Sequence, residues 1–404
     1  MSKIAIIGDG FSALFTALEL AKKGEEILVI SSQKDEFESG ILTPFNTPAL
    51  ARDGAISSSF LGLVSKKSEL DIALCLNENF RAWMANFTLK STKAHDKKMR
   101  ILFKKFGQKS FEILKELNEK YPQINFDESG VYLIFSEDES FKKRLDEMKV
   151  ADSEQEILSV DSELANFGFI NKNIKGALNL AKNASTDVKE LRNALFSELN
   201  ELGVQFINDE IYELKTQGQA VQKAVGAAGE YEADSFVVAS RNLELSSKLG
   251  TNLSAILAKF YTIDLVLSEG QIPKKPIILN DIFAKIYPTK NGVTIITNLQ
   301  VGAIDTLVKT EKINAFLNEL KRHLGISELK EPRFKANFVL LSSNDNPAIG
   351  RDETYQNLLY NQAYGLNELS FAPHFAGVLA DLIKEGKSNE DSDEILLFSS
   401  LYEG

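Results

Sequence analysis

The feature that most constrains the fold is a glycine-containing turn near the amino terminus, between a strand pattern and a helix pattern. Residues 3–7 are a short apolar run, and residues 11–23 place apolar side chains at helical spacing until Gly24. The turn between them, Gly8–Ala13, matches G-x-G-x-x-G/A, in which the glycines permit a tight turn and close approach of a pyrophosphate. A second apolar run at 27–30 completes the pattern. We therefore predict a β-α-β unit that binds a dinucleotide at the helix N-terminus.

Composition and charge exclude several classes of protein. The 404 residues are 44% hydrophobic and 25% charged, which is typical of a globular chain of two or three domains and excludes a disordered or collagen-like one. Lys and Arg number 46 against 57 Asp and Glu, a net charge of −11 that repels phosphate backbones, so we expect no nucleic-acid partner. No apolar run approaches the ~20 residues that span a bilayer. The early apolar run is too short for a signal peptide, so we expect a cytoplasmic protein.

The cysteine and histidine residues of the sequence do not form the pattern of a metal site. The single cysteine, Cys75, excludes a disulfide framework and a cysteine-based zinc site. The three histidines, His95, His323 and His374, are not spaced as metal ligands. We therefore predict that the chain binds no metal.

The rest of the chain predicts interleaved segments rather than successive domains. In order, the patterns predict amphipathic helices over about 66–150 with a strand at 131–135, a helix at 187–202, strands at 204–207 and 235–239, alternating strands within 258–300, and a strand and helix within 355–385. The alternating strands indicate an antiparallel sheet. No linker rich in Pro, Gly or Ser separates these parts.

This order, together with several short sequences, resembles the bacterial D-amino-acid dehydrogenases of the flavin-dependent D-amino-acid oxidase superfamily. The sequences that carry the resemblance are F-R-A-W-M at 80–84, G-V-Y-L-I-F at 130–135, N-D-N-P-A-I-G at 344–350 and Y-Q-N-L at 355–358. The resemblance covers nearly the whole chain. It implies an α/β fold (α+β overall), with a Rossmann-like FAD-binding domain interleaved with a substrate domain built on an antiparallel sheet plus helices. The implied FAD-binding domain comprises residues 1–50, 151–250 and 335–404, and the implied substrate domain comprises residues 51–150 and 251–334.

The resemblance also implies an activity and a site. The activity is FAD-dependent oxidation of a small amine or amino-acid-like substrate by hydride transfer to the flavin. The motif and the resemblance together predict a cofactor site formed by Gly8, Gly10, Phe11, Ser12, Ala13, Ser31, Ser32, Gly40, Ala239 and Gly365. The weaker candidates for catalytic residues are Tyr261, Tyr287, Lys285 and His374.

Five motifs depart from the family pattern. They are Ser31 in place of a ribose-binding glutamate, a shortened loop at Gly40, Arg241 in place of a glycine after Ala239 and Ser240, Val339 in place of a carboxylate-binding arginine, and the sequence 363–368, ending in Glu368, in place of a glycine-rich loop. Without the arginine we expect simple D-amino acids to be poor substrates. The departures leave an alternative open: a degenerate flavoprotein that has lost FAD or catalysis and serves as a structural subunit with a protein partner.

Two further sequences have two interpretations each. Residues 31–34, Ser-Ser-Gln-Lys, suit either a solvated loop or the 2′-phosphate of NADP. The basic amphipathic run at 97–106 suits either a solvated helix or contact with an anionic membrane. The second interpretation places the protein at the inner face of the membrane, with a quinone-linked electron acceptor.

Overall fold

A computed structural model describes most of the chain. The residues described are 2–32, 39–57, 69–73, 75, 77–150, 156–158, 160, 164–170, 174–302, 305, 307–324, 331–385, 395, 399 and 401. The strands are β1 (Lys3–Ile7), β2 (Glu26–Ser31), β3 (Ile41–Leu42), β4 (Leu70–Ala73), β5 (Val131–Phe135), β6 (Glu156–Leu158), β7 (Gly176–Leu180), β8 (Ala184–Ser185), β9 (Gln205–Asn208), β10 (Ile211–Gln217), β11 (Ala220–Gly226), β12 (Glu230–Glu232), β13 (Ser235–Val238), β14 (Ala255–Val266), β15 (Ile277–Leu279), β16 (Ala284–Thr289), β17 (Gly292–Ile296), β18 (Leu299–Gly302), β19 (Arg333–Ser342), β20 (Ala348–Arg351) and β21 (Leu358–Gln362). The α-helices are α1 (Phe11–Lys22), α2 (Glu78–Lys90), α3 (Lys93–Lys120), α4 (Asp138–Val150), α5 (Val188–Glu201), α6 (Glu244–Lys248), α7 (Thr310–Leu324) and α8 (Glu368–Glu385).

The amino-terminal β-α-β unit forms as predicted and lies at the centre of a parallel sheet. The strand order is β20-β21-β13-β1-β2-β9, and every pair is parallel except β20 with β21. Helices α1, α3, α5 and α8 cover one face, where Phe11, Phe15 and Phe375 are fully buried in a common core. The small antiparallel sheet β10-β11-β12 packs on the other face. Because β1 lies between β13 and β2, the turn at Gly8 leaves the middle of the sheet.

The second large sheet, here called the mixed sheet, contains the alternating strands expected within 258–300. Its order is β4-β18-β14-β17-β16-β15-β5-β7-β6, and β19 pairs with β14. The pairs β14–β17 and β16–β17 are antiparallel, which confirms the expected antiparallel sheet. Two pairs are parallel, β15 with β5 and β18 with β4.

Strand pairing differs from the expected segments in three places. Strands β6 and β7, expected in the FAD-binding segment 151–250, pair within the mixed sheet. Strand β19 pairs with β14 over its whole length, although residues from 335 onward were expected in the FAD-binding domain. Residues 70–73 form a strand where helices were expected. A strand pattern gives alternation but not the sheet that the strand joins, which is set by contacts between distant segments.

The helices differ in how their first turns are capped. The side chains of Asn77, Thr92 and Asp187 accept hydrogen bonds from the first-turn N–H groups of α2, α3 and α5. Helix α1 instead follows Gly10, which has no capping side chain, and has no acidic residue in its first turn. The N–H groups at the start of α1 are therefore available to a partner from elsewhere.

Candidate functional site

The largest of the three cavities described here lies at the carboxyl ends of β1, β2, β9 and β13, where an open parallel sheet binds its ligand. Its volume is about 380 Å³. Gly8, Ser31 and Ser32 line it from the parallel sheet, and Leu257 and residues 335–338 line it from the mixed sheet. We call it the nucleotide cavity. It lies where the β-α-β unit predicts a dinucleotide.

Two smaller cavities continue from the nucleotide cavity. The second, about 20 Å³, shares Ser240 and Arg241 with the first and is also lined by Ser12 and Glu368. The third, about 50 Å³, shares residues 363–365 with the second. We call these the phosphate cavity and the end cavity. The shared residues place the phosphate cavity between the other two.

The turn at Gly8 brings two strands unusually close. Its φ is +128°, and a Cβ built there would lie 2.2 Å from the carbonyl oxygen of Ala239 at the end of β13. Only glycine fits this combination of backbone angle and space. The prediction that Gly8 and Ala239 belong to one site is therefore consistent with their positions, since they line adjacent cavities.

A carboxylate occupies the N-terminus of α1. The backbone N–H of Ser12 donates to Oε1 of Glu368, the first residue of α8, at 2.7 Å. Helix N-termini attract anions because their N–H groups are unpaired and the helix dipole is positive there. Glu368 therefore stands where the motif predicts a pyrophosphate.

The nucleotide cavity contains an acid that the sequence did not single out. Asp209, at the end of β9, accepts hydrogen bonds from the Tyr231 hydroxyl at 2.8 Å and from backbone N–H groups of Glu210 and Ala228. Burial alone raises the pKa of Asp209, but these hydrogen bonds outweigh it and hold the pKa below its usual value. Because these donors occupy the carboxylate oxygens of Asp209, this residue stabilises the wall of the cavity.

The end cavity contains a lysine. On β16, Ala284 and Ile286 are fully buried in the core of the mixed sheet, so Lys285 projects from the opposite face, into the end cavity. Burial lowers the pKa of Lys285, and the Glu69 carboxylate partly opposes this. Within the described residues, Lys285 Nζ makes no ion pair or hydrogen bond. An anionic group placed in the end cavity would oppose the effect of burial and favour the charged form of Lys285.

The acids around the end cavity already have partners. Glu69 accepts from Arg52 Nη2 at 2.8 Å. The Asp345 carboxylate accepts from the backbone N–H groups of Leu50 and Ala51, at 2.7 and 3.0 Å. These contacts fix the segment around Leu50 that closes the cavity.

Two of the candidate catalytic residues lie away from all three cavities. Tyr261 is buried in the core of the mixed sheet, and its hydroxyl accepts from the N–H of Lys309. His374 stacks on Phe106, with ring centroids 5.7 Å apart, between α3 and α8. The hypothesis of a catalytic role for Tyr261 or His374 has no support in this geometry, because neither side chain reaches the cavities.

Other predicted positions are structural here. Tyr287 donates to the carbonyl oxygen of Thr186 and packs against Gly40, and neither Tyr287 nor Gly40 lines a cavity. Phe11 and Ala13 are fully buried between α1 and its neighbours. Gly10, Ser12, Ala239 and Gly365 do line the phosphate cavity. Gln33 and Lys34, on which the NADP interpretation depends, lie outside the described residues, as does the side chain of His323.

The basic run at 97–106 forms part of α3. Its apolar side chains pack on α8, with Phe103 stacked on Phe371 at 5.1 Å and Phe106 against Phe375 at 4.9 Å. Its lysines are exposed. This is the arrangement expected of a solvated helix that covers a core.

Two other kinds of site are absent from the described part of the chain. Throughout the described ranges, no helix combines the length and apolar character needed to cross a membrane. The same ranges contain no group of three or more His, Cys, Asp or Glu side chains arranged to hold a metal ion.

Comparison with known proteins identifies the family. The family model described as FAD dependent oxidoreductase matches residues 3–382. The chain belongs to this family. The expected resemblance and the expected FAD cofactor are thereby confirmed at the level of the family.

The relatives of the chain are distant in sequence but match it over nearly their full length. The chain is 24% identical to a D-amino acid dehydrogenase of Helicobacter pylori, over 99% of each protein, and 20% identical to one of Vibrio atlanticus (strain LGP32), over 97% of this chain and 98% of that protein. Among solved structures, iminodiacetate oxidase from Chelativorans sp. BNC1 superposes with a TM-score of 0.72 at 15% identity, covering 95% of this chain and 96% of that one. Glycine oxidase from Bacillus cereus gives 0.69 at 18%, covering 98% of each. All four are enzymes, so these comparisons give the degenerate alternative no support.

The residues present fit FAD, except at one contact. The nucleotide cavity has room at the end of β2, and the glycine turn at Gly8 leaves a cradle that a Cβ would fill. In the phosphate cavity, however, Glu368 holds the Ser12 N–H that a pyrophosphate would use. Apart from this contact, the order of the cavities suits the cofactor of the family.

Proposed function

We propose that the chain is an FAD-dependent dehydrogenase of an amino acid, with FAD lying along the nucleotide and phosphate cavities and the substrate bound at the end cavity. The observation that carries this proposal is the order of the cavities, in which the phosphate cavity lies between the nucleotide cavity at the glycine turn and the end cavity at Lys285. The named relatives, D-amino acid dehydrogenases from Helicobacter and Vibrio, support a D-amino acid as the substrate.

In this proposal the bound flavin supplies a hydride acceptor for the carbon that bears the amine. The chain supplies the binding groups. Gly8 and Gly10 let the backbone approach the pyrophosphate, and Ser31 offers a hydroxyl to the ribose at the end of β2. Arg241 lines both the nucleotide and the phosphate cavities, so its guanidinium supplies positive charge near the phosphates.

Lys285 is our candidate for binding the substrate carboxylate. The family places an arginine at the position of Val339, and its loss predicts weak binding of any carboxylate. In this chain a cation reaches the end cavity from β16 instead, and the described residues contain no ion-pair partner for it. A lysine binds a carboxylate as a point charge rather than through two parallel hydrogen bonds, so we expect a weaker but real preference for acids.

The experiment is an anaerobic titration of the FAD-loaded protein with D-alanine and with D-alaninamide, which lacks the carboxylate. We expect the acid to reduce the flavin at the lower concentration. Lys285→Met should raise the half-saturating concentration of D-alanine about tenfold, because a charge-assisted contact is lost. The half-saturating concentration of D-alaninamide should stay unchanged. Lys290→Met, at an exposed turn of the same hairpin, is the matched control. Flavin that stays oxidised with a full panel of D-amino acids would contradict the proposed function.

The electron acceptor and the location stay predictions. We propose a quinone-linked acceptor at the inner face of the membrane, because the relatives are named dehydrogenases and α3 exposes a row of lysines. Faster reoxidation of the reduced flavin by a soluble quinone analogue than by oxygen would support this. Equal rates would contradict it.

A further inference from the structure

The N-termini of α1 and α8 meet through one side chain. Glu368 begins α8, and its Oε1 accepts from the N–H of Ser12 in the first turn of α1 at 2.7 Å. The two residues are 356 positions apart in sequence. Helix α1 has no capping side chain of its own, so Glu368 supplies the negative charge that this end of the helix attracts.

This contact lies inside the cavity that a pyrophosphate must enter. Glu368, Ser12 and Gly10 all line the phosphate cavity, whose volume is about 20 Å³. A cavity needs about 10–15 Å³ of such volume to hold one water, so this cavity has room for about one water and is too small for a diphosphate as it stands. A diphosphate and the Glu368 carboxylate would also repel each other and compete for the same N–H group.

We propose that Glu368 is an internal anion that closes the phosphate site of the cofactor-free protein and must leave Ser12 when FAD binds. The proposal rests on the proposed function only in taking FAD as the ligand. Two effects of opposite sign follow. The contact stabilises the cofactor-free protein, because it satisfies the end of α1, and it weakens FAD binding, because the cofactor must displace it.

The test compares Glu368→Gln with the wild-type protein after removal of the cofactor. Glutamine keeps the size of the side chain but removes the charge that competes with phosphate. We expect FAD to bind Glu368→Gln about tenfold more tightly, measured by quenching of flavin fluorescence, while the melting temperature of the cofactor-free variant falls. Adenosine, which carries no phosphate, should bind both proteins equally.

Glu244→Gln is the matched control. Glu244 is also the first residue of a helix, its side chain is 78% exposed, and it is 3.6 Å from Lys248 rather than at a cavity. We expect wild-type affinity for FAD in this variant. A purely structural role of Glu368 would lower the melting temperature of Glu368→Gln without raising its FAD affinity, and this result would overturn the proposal.

A crystal structure of the wild-type protein with FAD tests the same point without any variant. The Glu368 carboxylate should be out of hydrogen-bonding distance of Ser12 N, and an unchanged contact beside a bound pyrophosphate would refute the proposal. The results that test the role of Glu368 can be distinguished from those that test the proposed function. Tighter FAD binding by Glu368→Gln without reduction by amino acids would contradict only the function, and reduction without the affinity gain would contradict only the role of Glu368. Failure of both proteins to bind FAD would overturn both.

Discussion

The phenolic Oη of Tyr287 lies 2.6 Å from the carbonyl oxygen of Thr186, and its ring packs on Gly40. A Cβ at Gly40 would lie 2.9 Å from that ring, so the contact needs glycine. Tyr287 belongs to the mixed sheet, and Thr186 follows the short β8 strand that pairs with β3. The tyrosine therefore joins the mixed sheet to the segment that leads into α5.

Tyr287→Phe should lower the free energy of unfolding by about 1 kcal/mol, the net value of one hydrogen bond, and leave the rate of flavin reduction unchanged. Burial, with a smaller contribution from Asp187, raises the pKa of Tyr287, so the phenol stays a donor at neutral pH. Because the pKa of Tyr287 is higher in the folded than in the unfolded protein, its contribution to the free energy of unfolding is complete below the unfolded pKa of about 10. That contribution is lost as the pH rises above this value. The difference between wild type and variant, measured by urea unfolding, should be constant from pH 6 to 9 and shrink above about pH 10. A large loss of turnover with unchanged stability would restore Tyr287 as a catalytic candidate.

Lys285→Met should stabilise the cofactor-free protein at pH 7. Burial lowers the pKa of Lys285, so the folded state disfavours its charged form. The resulting loss of stability grows as the pH falls from the unfolded pKa of about 10.4 toward the folded pKa. We expect the free energy of unfolding to rise by about 0.5–2 kcal/mol, as for other stabilising substitutions. The gain should disappear near pH 11, where the lysine is neutral in both states. An equal gain at both pH values, or the same gain in Lys290→Met, would contradict this account.

Gly8→Ala should be far more damaging than Gly24→Ala. Both glycines have positive φ, +128° and +82°. At Gly24 a Cβ would meet nothing within 4 Å, so only the backbone angle is unfavourable and the loss of stability should be about 1 kcal/mol. At Gly8 the Cβ would overlap a backbone oxygen, which cannot move without disturbing β13, and we expect a loss of about 3 kcal/mol or more together with loss of FAD binding. Calorimetry and a flavin titration measure both, and similar stabilities of the two variants would refute the close-approach argument.

Ser31→Glu should strengthen FAD binding. Ser31 ends β2 and lines the nucleotide cavity, at the position where the family places an acid that binds the ribose. A carboxylate hydrogen bond there should raise the affinity for FAD about tenfold. Ser31→Gln, which has the same length without the charge, should give a smaller gain. An affinity equal to wild type for Ser31→Glu would show that the ribose of FAD does not lie at the end of β2.

The parts of this molecule that local patterns govern were predictable from sequence. The β-α-β unit at the amino terminus and helix α5 agree with prediction because their spacing, glycine stops and apolar runs are local. The contact between Ser12 and Glu368 was not predictable in this way, because it joins helices more than 350 residues apart. The sequence pattern of β16 also leaves open which face of the sheet Lys285 occupies, and the packing of Ala284 and Ile286 into the core decides it.

Strand β19 contributes residues to the walls of all three cavities. Residues 335–338 line the nucleotide cavity, Val339 and Leu340 the phosphate cavity, and Leu341 and Ser342 the end cavity. Its pairing with β14 is continuous from Arg333 to Ser342. A one-residue insertion or deletion in β19 would therefore shift the wall of all three cavities at once and turn inward side chains outward. Relatives that change their substrate are expected to vary the identity of residues along this strand and to keep its length fixed.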